Sequence, residues 1–329
     1  MRLNGPGTPR LAASVALAVG LVFAAIAALP AGAAYPGENG LIAFRAVNDN
    51  GSGVYTIDPA NPQDQVLVHQ FDGDVASAPH YSPDMSMFTF ELDTDTTCAN
   101  VVTMDVNGGN VNVLPLANGD VCEASPTFSA DGKRIFYEGY NGKRRDAIYS
   151  MNLDGSGRRL LTTCEGRGVA DPETSADGTM ISFTCFSKDG AALFDSRVNG
   201  FGVRQLTPYS FDVGTRADWS PDSKRILFIS TPGEGTPQAQ VNTATINADG
   251  SDLKWLTNFG PGDLRAFGNS YSPDGHWIVL RVEKNDESGG FQSALFKMPA
   301  DGGDLTQITD YSTFRPRGMT WGSVCPCSP

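Results

Sequence analysis

Short apolar stretches broken by polar turns run through most of this chain, and the pattern is clearest between residues 128 and 162. Phe128 enters a Ser129-Ala130-Asp131-Gly132 turn, and Arg134 to Tyr137 leave it as a second strand. Ala147 to Leu153 alternate, as a half-buried strand does. Asp154-Gly155-Ser156-Gly157 forms another tight turn, because Asp and Gly tolerate the positive φ that a short hairpin needs. Arg159 to Thr162 complete a unit of four strands.

The unit recurs. Its first turn returns as Ser82-Pro83-Asp84, Ser175-Ala176-Asp177, Ser220-Pro221-Asp222 and Ser272-Pro273-Asp274, at spacings of 47, 46, 45 and 52 residues. Its second turn returns as Asn107-Gly108, Asn199-Gly200, Asp249-Gly250 and Asp301-Gly302. The fourth strand returns as Gln205-Leu206-Thr207, Trp255-Leu256-Thr257 and Gln307-Ile308-Thr309. A period in the forties with four strands is the size of one propeller blade. A single four-stranded sheet cannot hide both of its apolar faces. Packing it between two similar sheets around an axis does so.

The ends give the blade count. Leu41 to Phe44 read as a second strand with no first strand before it, followed by Val54 to Ile57 and Gln65 to Val68. Gly318 to Trp321 read as a first strand with nothing after it, and Trp321 stands where Tyr81, Phe128, Trp219 and Tyr271 stand. The two pieces make one blade. With five complete repeats, the chain is expected to form an all-β, six-bladed propeller of four-stranded antiparallel blades. It closes by pairing its last strand with its first ones, which removes a free sheet edge.

Trp219-Ser220-Pro221-Asp222-Ser223-Lys224-Arg225-Ile226 and Tyr271-Ser272-Pro273-Asp274-Gly275 resemble the repeats of the TolB-like β-propeller family, over roughly residues 37 to 322. The third full repeat departs from the pattern with Thr174 at the aromatic position, and the first with Met85-Ser86 in place of Gly-Lys. Named TolB proteins carry a further α/β domain ahead of the propeller. The resemblance therefore implies the propeller and leaves their envelope role behind.

Residues 1–34 stand apart. Arg2 and Arg10 precede an uncharged apolar run from Leu11 to Leu29, and Ala31-Gly32-Ala33-Ala34 offers small residues for cleavage. This is the layout of a secretory signal peptide; the competing reading is an uncleaved membrane anchor. The expected organisation is a signal over 1–34, the propeller over 35–322 and a short Cys-Pro-Cys tail over 323–329. Cleavage takes the net charge from −13 to −15, since it removes two Arg and no acid. Such a surface repels nucleic acid and anionic lipid, and no stable membrane insertion is expected after cleavage. The expected location is extracytoplasmic, secreted or periplasmic.

Cysteine usage fits export. Cys98 falls in a loop between second and third strands, Cys122 and Cys164 in blade-to-blade loops, and Cys185 at the end of a second strand. All four point to one rim. The shortest loops pair Cys98 with Cys122 and Cys164 with Cys185. Cys325 and Cys327 are too close to bridge each other without strain.

Catalytic signatures are sparse. The three histidines His69, His80 and His276 have no metal-ligand spacing. Neither a Gly-x-Ser-x-Gly elbow nor a phosphate-binding Gly-Lys-Ser/Thr loop occurs. No metal and no cofactor is expected. The Asp-Gly turns supply too few carboxylates for calcium.

What remains is the axial funnel, where the first strands converge. Residues entering those strands are Asp74, His80, Glu123, Asp171, Glu173, Arg216, Asp218, Arg265, Arg315 and Arg317, acidic in early blades and basic in late ones. A lopsided mouth suits a zwitterionic ligand or a peptide with a charged end; paired acids and bases on a rim are the plainer alternative. The expected function is a non-catalytic binding module for a protein, peptide or glycan. The alternative is a polysaccharide lyase or glycoside hydrolase using Glu173 with Asp218, or His80 with Asp171. Glycoside hydrolysis needs its two carboxylates roughly 5–10 Å apart.

Overall fold

The computed structural model describes residues 35–324, apart from 49–50, 72–78, 94–98, 118–121, 141–145, 167, 215, 234–239, 263, 286–289 and 313–315. Residues 1–34, expected above to be a signal, Asp74, Cys98, Arg315 and the Cys325–Cys327 tail lie outside the described residues.

Six antiparallel sheets of four strands are present among them. In the first blade the order outward from the axis is Arg317–Ser323, Asn39–Asn48, Gly51–Asp58 and Asn61–Phe71. The last strand of the chain therefore pairs with the first, Trp321 opposite Ile42 and Thr320 opposite Ala43. The other five blades each use four consecutive strands. Their innermost strands are His80–Tyr81, Cys122–Phe128, Gly168–Thr174, Asp218–Trp219 and Arg265–Tyr271, for blades two to six. Successive innermost strands touch and so form a ring about the axis. The one helical element described is a three-residue 3-10 turn, Tyr209–Phe211, in the connection to the fifth blade.

The repeated turns explain themselves at atomic level. In each full repeat the Ser hydroxyl donates to the Asp two residues later and accepts the backbone N–H five residues later. The Ser220 hydroxyl lies 2.7 Å from Asp222 Oδ1 and 2.9 Å from the N–H of Arg225. Ser82, Ser129, Ser175 and Ser272 repeat this geometry. The residue between must be left-handed, as Gly132 is at φ 67°. Partial burial alone pushes these Asp carboxyls up, but the hydrogen bonds outweigh it and hold all five below the usual range.

Outside blade four, the blades pack on the one before through the aromatic landmark of the innermost strand. Trp219 is fully buried among Leu193, Phe228 and Ile246 between blades four and five. Its indole N–H donates to the Ser182 hydroxyl at 3.0 Å and the Glu173 carbonyl at 3.2 Å, both in blade four. In blade four itself, Thr174 at the landmark instead donates its hydroxyl to the Phe128 carbonyl of blade three at 3.0 Å.

Cys164 and Cys185 are disulfide-bonded, with Cα atoms 5.8 Å apart. Cys185 sits within the strand Met180–Ser187 rather than at its end. The bond ties the connection entering blade four to that blade, and closing a loop of 21 residues contributes roughly 3 kcal/mol. Cys122 opens a strand rather than lying in a loop, and it is disulfide-bonded too.

Candidate functional site: the axial funnel

The innermost strands are not regular. Pairing between first and second strands shifts register between Ala124 and Thr127, between Ala170 and Glu173, and between Gly268 and Ser270. A bulge re-aims side chains, and here it acts three residues before the landmark. That position has positive φ in Ser125 (48°), Asp171 (52°), Arg216 (73°) and Gly318 (53°). Glycine adopts this conformation without cost. Three polar residues here do not, and each holds about 1–3 kcal/mol of strain.

The residue just before the landmark forms a second ring: His80, Thr127, Glu173, Asp218, Ser270 and Thr320. Between these two rings lies the polar network of the axis. Arg216 Nη1 is 3.3 Å from His80 Nε2. A guanidinium only donates, so Nε2 accepts and the ring proton sits on Nδ1. Nδ1 faces Glu173 Oε2 at 3.5 Å, and Glu173 Oε1 accepts from the Thr127 hydroxyl at 2.9 Å. Blades two, three, four and five are thus tied across the lumen. Asp218 accepts the backbone N–H of Tyr271 at 2.7 Å.

His80, Asp171, Glu173, Arg216 and Asp218 are therefore brought together. The other expected residues go elsewhere. Glu123 is fully buried, bonded to Arg158 Nη1 at 2.5 Å and to the Ala117 N–H at 3.2 Å, where it locks blade three to the connection from blade two. Arg265 pairs with Glu283 at 3.2 Å and lies 3.7 Å over the Phe291 ring. Arg317 is exposed and stands opposite Arg45 in the first blade.

Four further residues belong to the site, and sequence reasoning missed them because they lie on second strands. Arg45, Glu91, Glu138 and Arg281 occupy the same register position in blades one, two, three and six. Glu91 Oε2 accepts the Ser125 N–H at 2.6 Å. Arg281 lies 4.0 Å over Phe267 and 3.3 Å from Glu283. The available signal was a lone charge inside an apolar run, as in Phe88-Thr89-Phe90-Glu91-Leu92. Cations thus gather in blades six and one, and carboxylates in blades two to four.

Burial dominates the chemistry of the cluster. It pushes Glu138 up to about 9, helped by the charges of Asp171, Asp146 and Glu91. It pushes Asp218 up to about 7 against the hydrogen bonds from Tyr271, Ser270 and Trp219. Glu173 is carried well above the carboxylate range by burial and then by Asp218. Asp171 and Glu91 also rise through burial, opposed by Arg216 among others. His80 falls to about 3 through burial and the charge of Arg216, so it is neutral at physiological pH.

A carboxyl whose folded pKa lies above its unfolded value stabilises the fold at low pH and loses that contribution as pH rises through the folded value. For Glu138 the window runs from 4.5 to about 9. Glu138→Gln is therefore expected to stabilise the protein at pH 8, on the order of 2–4 kcal/mol, with the gain gone by pH 4. Denaturant melts of both proteins across that range check it.

Among the described residues no three His, Cys, Asp or Glu side chains form a metal-ligand set.

The model of the TolB beta propeller domain matches residues 34–258, more than half of the chain. The chain belongs to the TolB beta propeller family. The uncharacterized protein Atu1656 of Agrobacterium fabrum is 28% identical over 155 residues, 45% of this chain. The chain spans about half the length of that relative, 50% by the same match. The crystal structure of TolB from Acinetobacter baumannii superposes with a TM-score of 0.69 at 20% identity, covering 87% of this chain and 67% of that one. Oligogalacturonate lyase in complex with manganese superposes with a TM-score of 0.51 at 15% identity, covering 83% of this chain and 74% of that one. At these identities the likeness is one of fold alone.

Proposed function

We propose that this TolB-type propeller is a non-catalytic binding module that takes a zwitterionic ligand, or the charged end of a peptide, in its axial funnel. One observation carries the reading. Ser125, Asp171 and Arg216 hold positive φ at one ring position on the axis, and such strain gathers where a protein presents groups to a ligand. The distribution of charge supports this class of ligand. An ammonium group would meet Glu91 and Asp171 in blades two and four, and an anionic group would meet Arg45 and Arg281 in blades one and six. The disulfide supports an extracytoplasmic setting for this module.

A second reading is favoured by Asp218 and Glu138, whose raised pKa values suit proton transfer to a sugar substrate. The two readings separate in one experiment. The protein is used as bait against extracytoplasmic extract, with an unrelated propeller as control, beside Arg216→Ala and Asp171→Ala. Capture of a partner that both variants lose at least tenfold, without change in that partner, supports binding. Turnover of a polysaccharide by the unmutated protein, lost in Asp218→Asn, overturns it.

A further inference from the structure

Polar groups on the landmark side chains are bonded within the fold. The Tyr81 hydroxyl donates to the Leu41 carbonyl at 3.4 Å, and the Trp321 indole N–H to the Gly40 carbonyl at 3.1 Å. Thr174 and Trp219 are bonded as described above. Tyr271 is the exception. It is 2% exposed, and its buried hydroxyl has no hydrogen-bond partner. Burying a hydroxyl without a bond is costly.

Tyr271 lines a cleft of about 530 Å³ between blades five and six, on the face that carries the Ser-x-Asp turns. Arg225 lines the same cleft but cannot serve the hydroxyl. Its Nε and Nη2 donate to the Thr245 hydroxyl at 3.2 and 2.8 Å. Its Nη1 donates to Asn247 Oδ1 and to Asp252 Oδ2, each at 2.7 Å, and its Nη2 also to the Asp252 carbonyl at 2.9 Å. A guanidinium has five N–H groups, and all five are committed. Burial, and then the charge of Asp218, hold the phenol un-ionised. The cleft therefore ends on a neutral hydroxyl that can both donate and accept.

Its rim is charged in both senses. Asp222, Asp252, Asp274 and Asp301 line it together with Lys224 and Lys254. Lys224 and Asp222 stand 3.2 Å apart with side chains 79% and 56% exposed, a pairing worth little in water. Pro221 and Ala300 add an apolar wall. An ion of either sign would meet its own sign here. An apolar ligand would strip water from these charges and replace it with nothing. A neutral ring bearing hydroxyls does neither. Its hydroxyls donate to carboxylates and accept from ammonium groups, while its C–H face rests on the proline. The volume lies within the roughly 300–1,000 Å³ of small-molecule sites.

We propose that the cleft between blades five and six is a binding site for a neutral sugar, with the Tyr271 hydroxyl bonded to the sugar at the inner end. None of His80, Asp171, Glu173, Arg216 and Asp218 lines this cleft. The site is separate from the funnel and independent of what binds there.

The test uses the whole protein and the methyl glycosides of glucose, galactose, mannose and N-acetylglucosamine, with glucosamine and glucuronate as charged counterparts. Saturation-transfer NMR should show at least one neutral glycoside bound saturably at millimolar concentration, with an affinity that added salt leaves unchanged. Tyr271→Phe should weaken that binding on the order of fivefold, the worth of one hydrogen bond. The same variant, free of sugar, should melt at or slightly above the temperature of the unmutated protein, because it discards a hydroxyl that bonds nothing in the fold. No saturable binding of any of the four glycosides overturns the proposal. So does tighter binding of glucosamine or glucuronate than of the neutral sugars, an affinity that falls with salt, or one that Tyr271→Phe leaves unchanged. A Tyr271→Phe protein that melts several degrees lower overturns it as well, since the hydroxyl would then have its partner within the fold.

Discussion

A chain ending after Pro316 is expected to lose cooperative thermal unfolding altogether. The strand Arg317–Ser323 is the innermost strand of the first blade, and its pairing with Asn39–Asn48 is the closure of the ring. Met319 and Trp321 are each 3% exposed and pack on Ile42, Phe44, Val279 and Leu295, residues of blades one and six. Burying two such side chains contributes on the order of 3–6 kcal/mol by area alone. The backbone loss comes on top, because Ile42 and Ala43 are left as an open edge beside exposed apolar surface. That is most of the 5–15 kcal/mol by which a typical domain is stable. Circular dichroism melts and size-exclusion chromatography should show a broad, non-cooperative transition and aggregates. Added peptide 317–324 should restore the sharp melt. A truncated chain that still melts cooperatively as a monomer would mean that closure rests elsewhere.

Trp219→Ala is expected to cost about 3–5 kcal/mol, the range for emptying a large aromatic site in a core. Trp219 fills the interface between blades four and five with no exposed surface. Its removal also takes one partner from the buried Ser182 hydroxyl, which accepts the indole N–H and donates to the Glu173 carbonyl at 3.5 Å. Trp219→Phe keeps most of the volume and loses only the indole N–H with its two acceptors, so it should cost about 1–2 kcal/mol. Urea melts of the three proteins give the values. Similar losses for Phe and Ala would shift the weight from packing to the indole N–H. The effect reaches the funnel as well, because the same indole holds the Glu173 carbonyl at 3.2 Å and so the strand that presents Glu173 to His80.

Much of the fold was legible because its instructions are local. The Ser-x-Asp turn is built from hydrogen bonds that span at most five residues, so a short motif specifies it wherever it falls. Five copies and two half-copies then dictate the blade count and the closure. The Cys164–Cys185 pair was legible for a related reason: a loop of 21 residues leaves few alternatives. The funnel was only half legible. His80, Asp171, Glu173, Arg216 and Asp218 were found because they enter first strands. Glu123 satisfied the same rule and is nonetheless drawn to Arg158, since a buried carboxylate goes to the cation that packing puts beside it. Glu91 and Glu138 were missed because they lie on second strands.

The sequence by itself determined the repeating unit, the number of blades and the strand that shuts the ring. Each of those follows from contacts within one repeat or from counting repeats. Only the tertiary structure decided which charges share the lumen and which one is diverted to an arginine of its own blade. Those groups stand more than 30 residues apart in the chain, and what they meet is set by how six sheets converge on one axis, where desolvation weighs most.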